Sequence, residues 1–344
     1  MSKKNTPQES HISLYRKYRP VDFKDVVDQD HVVSVLEQSI KDGLIGHAYL
    51  FHGSRGTGKT SIARIFARAI GTTQNDLYEI DAASNTSVDD IRALTEAVNT
   101  VPLESKYKVY ILDEVHMLSK AAFNAFLKTL EEPPKHVIFI LATTEIERIP
   151  ETILSRCEVY TFKKPTVDIL TGVVQKVSKS EGYTIDASGA ELVALLGDGS
   201  FRDTLSTLQK VISASKGTSI SREFVEEITN APKSTLVNGF TEALLRKDAQ
   251  KAIEHLHLAL SDSIDVKLFS QLCLERLRSV LLVQIQAKSG VDIKEIDSIK
   301  KTVEGIPAAH TASVIKKILE IQYQIGKTYI PILPLEVVVG EICV

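Results

Sequence analysis

The residues Gly53-Ser54-Arg55-Gly56-Thr57-Gly58-Lys59-Thr60 meet every fixed position of the pattern G-x-x-x-x-G-K-[ST]. The chemistry served by this order is the holding of nucleotide phosphates. Glycines let the backbone curl until successive N–H groups point at phosphate oxygens. Lys59 brings a positive charge to the β- and γ-phosphates, and the Thr60 hydroxyl is a hard oxygen ligand for Mg²⁺. A second pair, Asp113-Glu114, closes the apolar run Lys108-Val109-Tyr110-Ile111-Leu112. Paired carboxylates at a strand end are the complement expected of such a loop in an ATPase, where Asp113 holds Mg²⁺ through water and Glu114 orients the attacking water. Thr143-Thr144 follows another apolar run, Val137–Leu141. In open α/β sheets ligands sit at that edge, so a hydroxyl there can sense the γ-phosphate.

These groups need elements to place them. Ala48-Tyr49-Leu50-Phe51 reads as a buried strand before the loop, and Ile62, Ile65, Phe66, Ala69 and Ile70 give the helix after it an apolar spacing. The N-terminus of that helix would face the phosphates. Upstream, Asp30 is expected to cap a helix carrying Val32, Val33, Leu36 and Ile40, stopped by Gly43. Leu77–Ile80 reads as a second strand, and Ser87-Val88-Asp89-Asp90 as a capping box opening a helix. The helix from about Ser119 buries Phe123, Phe126, Leu127 and Leu130 and is ended by Pro133-Pro134. The basic and aromatic run Leu14-Tyr15-Arg16-Lys17-Tyr18-Arg19-Pro20 leaves two readings open: a surface arm, or a surface that stacks on a purine or meets phosphate.

Past Ser155-Arg156-Cys157 and a short strand, Val159–Phe162, the character changes at Lys163-Lys164-Pro165. No strand alternation is clear from there until the C-terminus. Val167–Glu181 and the region around Leu192–Leu196 are helical, and Ser200-Phe201-Arg202-Asp203 is a second capping pattern that puts Arg202 in an exposed first turn. Amphipathic helices then follow over Leu236–Leu245, Ile253–Leu260, Leu268–Ile285 and Val314–Ile325.

A chain of 344 residues, 43% hydrophobic and 25% charged, is long enough for two or three domains with full cores. No apolar run approaches a membrane span and the first residues lack a signal-peptide core, so a cytoplasmic protein without a membrane partner is expected. The net charge of −3 neither announces nor excludes contact with nucleic acid. Cys157, Cys273 and Cys343 are scattered and odd in number, which leaves neither a disulfide framework nor a four-cysteine zinc site.

With these residues in view, the sequence resembles the bacterial DNA polymerase III gamma/tau subunit family, the ATPases of the replicative clamp loader. The match is densest in Tyr15–Pro20, His47–Phe51, Asp81-Ala82-Ala83-Ser84, Asp113-Glu114-Val115-His116-Met117-Leu118-Ser119, Leu127–Pro134, Leu154–Cys157 and Gly199–Asp203. The resemblance implies an α/β plus all-α chain: a P-loop AAA+ module with a parallel sheet flanked by helices, a small helical lid and a C-terminal helical collar that holds subunits in a ring. The corresponding ranges are a disordered stretch over 1–10, the nucleotide-binding domain over 11–164, the lid over 165–230 and the collar over 231–344. It implies ATP and Mg²⁺, with Gly53 to Thr60 and Asp113 binding them and Tyr15, Arg19 and Val27 at the adenine pocket. Glu114 becomes the hydrolytic carboxylate, Thr144 the first sensor and Arg202 the second sensor, acting within its own subunit. Arg156 becomes an arginine finger serving a neighbour's ATP. The implied partners are delta, delta-prime and further copies of the chain, together with the sliding clamp and primer-template DNA.

Three positions depart from the family's pattern. A four-cysteine zinc module is usual where this chain has only Gly71-Thr72-Thr73-Gln74-Asn75-Asp76, so no zinc is expected. Basic residues that often follow Asp-Ala-Ala-Ser are replaced by Asn85-Thr86-Ser87, leaving Arg92 as the DNA contact there, and Asp28 stands where glycine is common. The chain is expected to end with the collar, without tau's further domains, and it carries no polymerase carboxylate constellation. Two other classes compete: a non-catalytic scaffold subunit like delta-prime, and a stand-alone AAA+ recombination ATPase. The intact hydrolytic set weighs against the first, and the collar-like helices with Ser155-Arg156-Cys157 against the second.

Overall fold

Val109, Ile111 and Leu112 are fully buried, as are Ile140 and Leu141, because both faces of the sheet that holds them are covered. That is the condition under which strands read as continuous apolar runs rather than as alternation. The computed structural model describes residues 12–84, 87–261, 265–286, 296, 299–300 and 303–343. The stretch 1–10, expected to be disordered, lies outside the described residues, as do Asn85 and Thr86. The chain divides into two compact units, one up to Ile220 and one from Ser221.

In the first unit, β1 (Ala48–His52), β2 (Leu77–Asp81), β3 (Lys108–Asp113), β4 (Val137–Thr143) and β5 (Glu158–Thr161) form a parallel sheet ordered β2-β3-β4-β1-β5. Since β4 pairs with β1 on one side and β3 on the other, the segments after all three strands emerge together at one edge. Successive side chains of each strand go to opposite faces. Tyr49, Phe51, Ile138 and Ile140 pack with α2 (Asp30–Asp42) and α3 (Lys59–Ala69) through Val32, Leu36, Ile62 and Phe66. Leu50, Tyr110, Phe139 and Leu141 pack with α4 (Val88–Ala97) and α5 (Lys120–Glu131) through Ile91, Leu94, Phe123 and Phe126. The Phe126 and Phe139 rings meet edge to face at 5.0 Å. Burying each such ring contributes about 1.5–3 kcal/mol.

Local signals behave mostly as their chemistry dictates. Ser87 and Asp90 make the reciprocal capping box of α4, and the Ser119 side chain caps α5. Gly43 ends α2 in the left-handed conformation, at φ +68°. Two expectations are corrected. Asp30 does not cap α2: the N-cap is Gln29, whose buried amide instead donates to the Lys163 carbonyl at 2.8 Å and accepts from the Lys163 N–H at 3.1 Å. On α5, Leu127 is only half-buried, while Phe123, Phe126 and Leu130 are buried as expected, because Leu127 lies at the margin of the stripe that faces the sheet.

The same unit carries α1 (Leu14–Lys17), α6 (Glu151–Leu154), α7 (Val167–Ser180), α8 (Ala187–Leu196) and α9 (Phe201–Ala214). Between them β6 (Thr184–Ile185) and β7 (Ser219–Ile220) pair in parallel. This corrects the reading that strands stop after Phe162, since two-residue strands are too short to display a period. The Leu14–Pro20 segment lies at the surface, with Arg16 and Lys17 exposed, and is tied down there. The Leu14 N–H donates to Gln209 Oε1 at 2.9 Å, and Lys17 and the Tyr18 hydroxyl both bond to Glu181.

The second unit is helical over its described residues: α10 (Arg222–Thr229), α11 (Ser234–Leu245), α12 (Ala249–Ser261), α13 (Val266–Gln284), α14 (Ala308–Ile321) and α15 (Leu333–Cys343). Phe240 and Phe269 join α11 to α13 at 5.4 Å between rings. The last expected helix starts earlier than its apolar stripe and stops at Ile321, with Gln322 as C-cap. Among the described residues no helix is long and apolar enough to cross a membrane.

Candidate nucleotide site

Strand β1 runs straight into Gly53–Gly58, and α3 starts at Lys59, so the first free N–H groups of α3 border the loop. Gly56 has φ +74°, and a Cβ on it would sit 1.9 Å from Ser200 Oγ. Its carbonyl accepts from the Phe201 N–H at 3.0 Å. The loop is thus packed against the first turn of α9, the helix bearing Arg202. Lys59 is buried, and its ammonium donates to the carbonyls of Gly53 at 2.8 Å and Ser54 at 3.0 Å. Burial lowers its pKa, while the nearby Glu114 and Asp113 carboxylates pull the other way. The Thr57 hydroxyl ties the loop internally to the Ser54 carbonyl at 2.9 Å, and Ser54 and Arg55 themselves are exposed.

Thr60, one residue into α3, donates from Oγ1 to Asp113 Oδ2 at 2.7 Å. The other Asp113 oxygen accepts from the Glu114 N–H at 3.0 Å. A hydroxyl and a carboxylate from separate elements therefore present hard oxygens at one point, a donor set that fits Mg²⁺. Among the described residues no group of three or more His, Cys, Asp or Glu side chains is placed to hold a metal. A magnesium ion held by these two residues would need further ligands from phosphate and water, as that ion usually does.

Glu114 has φ +49°, a left-handed conformation costing a residue with a side chain about 1–2 kcal/mol. Its Oε2 accepts from the Thr144 hydroxyl at 3.1 Å. Beside it the buried His116 ring turns Nδ1 toward Thr143 Oγ1 at 3.0 Å and Glu114 Oε2 at 3.5 Å, and Nε2 toward Glu145 Oε1 at 3.3 Å. Neither His116 nor Glu145 is among the residues the sequence singles out for chemistry. The contact that marks them needs β3 and β4 side by side.

Arg202 is exposed in the first turn of α9, with its guanidinium 5.6 Å from the centre of the Tyr15 ring. Arg19 donates to Ser61 Oγ on α3 at 2.8 Å. Burial lowers the Arg19 pKa, the charges of Arg64 and Arg202 add to this, and Glu79 and Asp113 oppose it. Lys59, Arg19 and Arg202 thereby gather positive charge around the loop. Val27 is 41% exposed, just before Asp28, which has φ +61°. Asp tolerates the left-handed region better than most residues.

Arg156 lies elsewhere. It precedes β5 as His47 precedes β1, and those strands run parallel with Tyr49 opposite Glu158, so it stands at the sheet edge opposite the phosphate loop. Its guanidinium donates to Glu131 Oε1 at 2.6 Å and to the Thr152 carbonyl at 2.7 Å. A cleft of about 570 Å³ there is lined by His47, Leu130, Glu131, Ser155 and Arg156. Arg92 is exposed and paired with Asp89 at 3.1 Å. Cys157, Cys273 and Cys343 are free thiols.

In the short segment 71–76, fully buried Asp76 accepts from the amides of Leu103 at 2.6 Å, Glu104 at 2.9 Å and Ser105 at 2.7 Å. Burial alone would raise its carboxyl, but these hydrogen bonds outweigh it and hold the pKa down to about 2.

A sheet in the order β2-β3-β4-β1-β5, with a phosphate loop after β1, an acidic pair after β3 and threonines at the end of β4, defines a phosphate-loop module of the AAA+ class. The fold is shared with the RuvB Holliday junction branch migration motor of Thermotoga maritima, at a TM-score of 0.53 and 20% identity over 72% of this chain and 86% of that one. The model of the family described as DNA polymerase III, delta subunit matches residues 28–85 and 70–166. DNA polymerase III subunit tau of Bacillus subtilis (strain 168) is 38% identical over 97% of this chain and 63% of its own length. Subunit gamma of Buchnera aphidicola subsp. Baizongia pistaciae is 36% identical over 70% of each chain. The chain belongs to the DNA polymerase III gamma/tau subunit family. It spans 63% of the Bacillus relative and 51% of the gamma/tau subunit of Mycobacterium tuberculosis (strain ATCC 25618 / H37Rv).

Proposed function

We propose that the chain is an ATP-hydrolysing subunit of a bacterial replicative clamp loader, which binds ATP and Mg²⁺ and couples their use to loading a sliding clamp on primed DNA. The observation that carries this reading is the Thr60–Asp113 contact of 2.7 Å beside the buried Lys59 ammonium. A chain kept only as a scaffold has no need of a lysine, a hydroxyl and two carboxylates at one point.

The roles follow from position. The amides of Gly53–Thr60 and the N-terminus of α3 cradle the phosphates, and Lys59 exchanges its carbonyl partners for β- and γ-phosphate oxygens. Thr60 and Asp113 hold Mg²⁺, which when bound neutralises charge on those phosphates. Glu114 orients the attacking water, and Thr144, already bonded to that carboxylate, senses whether a γ-phosphate is present. Arg202 reaches the nucleotide of its own subunit, while Tyr15, Arg19 and Val27 border the adenine. Arg156, at the opposite sheet edge, is suited to a neighbour's ATP instead.

In this reading 11–164 is the nucleotide-binding domain, 165–230 its lid and 231–344 the collar joining copies of the chain to delta and delta-prime. It acts in the cytoplasm, uses no zinc and synthesises no DNA. The match to the delta-subunit family favours a scaffold subunit as the second reading. ATP hydrolysis measured with and without partner subunits, clamp and primed DNA separates the two. Stimulated turnover that vanishes with Glu114→Gln supports the motor, and no turnover under any condition supports the scaffold.

A further inference from the structure

We propose that His116 is a positioning residue for hydrolysis, holding the Glu114 carboxylate and the end of β4 in one arrangement. This rests on the ATPase reading above. The ring sits in the turn directly after Glu114, with only 6% of its side chain exposed, and both nitrogens face partners. Nδ1 lies 3.0 Å from Thr143 Oγ1 and 3.5 Å from Glu114 Oε2, and Nε2 lies 3.3 Å from Glu145 Oε1.

The hydrogen-bond inventory selects a role for each atom. Thr143 Oγ1 already accepts from the Glu145 N–H at 3.0 Å, which leaves its hydroxyl hydrogen free to be donated to Nδ1. Nε2–H then donates to Glu145, whose other oxygen takes Arg148 Nε at 2.8 Å. In this tautomer Thr143 and Glu145 are both paired with the ring. Nδ1 donates nothing to Glu114, whose Oε2 is paired by Thr144 instead, and turning the ring would strip its enclosed nitrogens of these partners. The ring fills the space beside Glu114 Oε2, and the Thr144 hydroxyl bonds to that same oxygen at 3.1 Å. Glu114 is thereby confined between a fixed ring and a fixed hydroxyl, both referenced to β4. A water-orienting carboxylate needs this confinement, because small displacements of a catalytic group reduce the rate sharply. The arrangement runs on through Glu145 and Arg148 into the segment that leads to Arg156.

The test uses the full chain assembled with its partner subunits, clamp and primed DNA. Affinity is read with a fluorescent ATP analogue and turnover by phosphate release. His116→Ala is expected to lower kcat tenfold or more while changing nucleotide affinity less than twofold. His116→Asn, which keeps a polar atom near the Nδ1 position, should recover more of the rate than His116→Gln. Thr143→Val, which removes the partner of Nδ1, should show the same split between kcat and affinity if His116→Ala does not fold. In single turnover, His116→Ala should add no loss to Glu114→Gln, as residues acting as one unit do. A kcat within twofold of wild type, parallel losses of kcat and affinity, or a full tenfold loss on top of Glu114→Gln would overturn the proposal. A wild-type assembly that binds ATP but never hydrolyses it overturns the ATPase reading, and this role with it.

Discussion

Thr60 Oγ1 donates to Asp113 Oδ2 at 2.7 Å, joining the first turn of α3 to the end of β3 at the point where nucleotide phosphates would arrive. If this pair receives Mg²⁺, Thr60→Val should remove a ligand while preserving shape. A hydrogen bond or ligand to a charged group is worth about 1.5–3 kcal/mol, so affinity for ATP with Mg²⁺ should fall by roughly 10-fold to 150-fold. Affinity measured in EDTA should change much less. Equal Mg²⁺-ATP affinity for variant and wild type, by titration calorimetry, would rule out Thr60 as a ligand.

Lys59 and Glu114 should separate binding from chemistry. Lys59→Ala removes the buried cation that faces the β- and γ-phosphates, and ATP binding should be lost. Glu114→Gln keeps the size and one acceptor of the side chain, so binding should persist while steady turnover is lost and only a slow residual hydrolysis remains, readable in single turnover. A Glu114→Gln chain that turns over at the wild-type rate would assign the catalytic carboxylate elsewhere.

The parts of the site legible in the sequence are those built from local order. Gly53–Thr60 and Asp113-Glu114 carry their chemistry in consecutive residues, and the strands that present them are buried on both faces and read as apolar runs. What escaped depends on neighbours distant in sequence. His116 acquires its role only when β4 lies beside β3, bringing Thr143 and Glu145 to the ring. Gly56 looks like one more flexible glycine until Ser200 packs where its Cβ would be. Asp30 has the side chain of a good cap, yet it is the first residue of α2 and the N-cap is Gln29, whose amide is engaged by Lys163, far away in sequence.

Asp76 gives a pH-dependent prediction. Its folded pKa of about 2 lies below the ordinary aspartate value, so its contribution is present above about pH 4 and is lost as pH falls through about 2. The difference corresponds to about 2 kcal/mol at neutral pH. Asp76→Asn keeps one acceptor oxygen and should destabilise the chain by about that amount in denaturant unfolding at pH 7, with the gap from wild type narrowing at pH 3. A gap that stays constant or widens on acidification would show that the carboxylate charge is not what secures residues 103–105.

Arg156 and Glu131 are paired at 2.6 Å at the sheet edge opposite Lys59, so Arg156 is poorly placed to serve the nucleotide of its own chain. An arginine that stabilises charge developing on a neighbour's γ-phosphate contributes only in the assembly, where such a group is worth on the order of 10³ or more in rate. Arg156→Ala should leave ATP binding by the isolated chain nearly unchanged and cripple turnover stimulated by clamp and DNA. Arg202, packed over Tyr15 beside the phosphate loop, should behave differently: Arg202→Ala should weaken nucleotide binding within a single chain. Mixed assemblies distinguish the two. A chain carrying Arg156→Ala still binds ATP at its own site and should hydrolyse it there when the adjacent subunit supplies an intact Arg156. A chain carrying Arg202→Ala should remain defective beside any neighbour. Rescue of both variants, or of neither, would mean that the roles within and between subunits are wrongly divided.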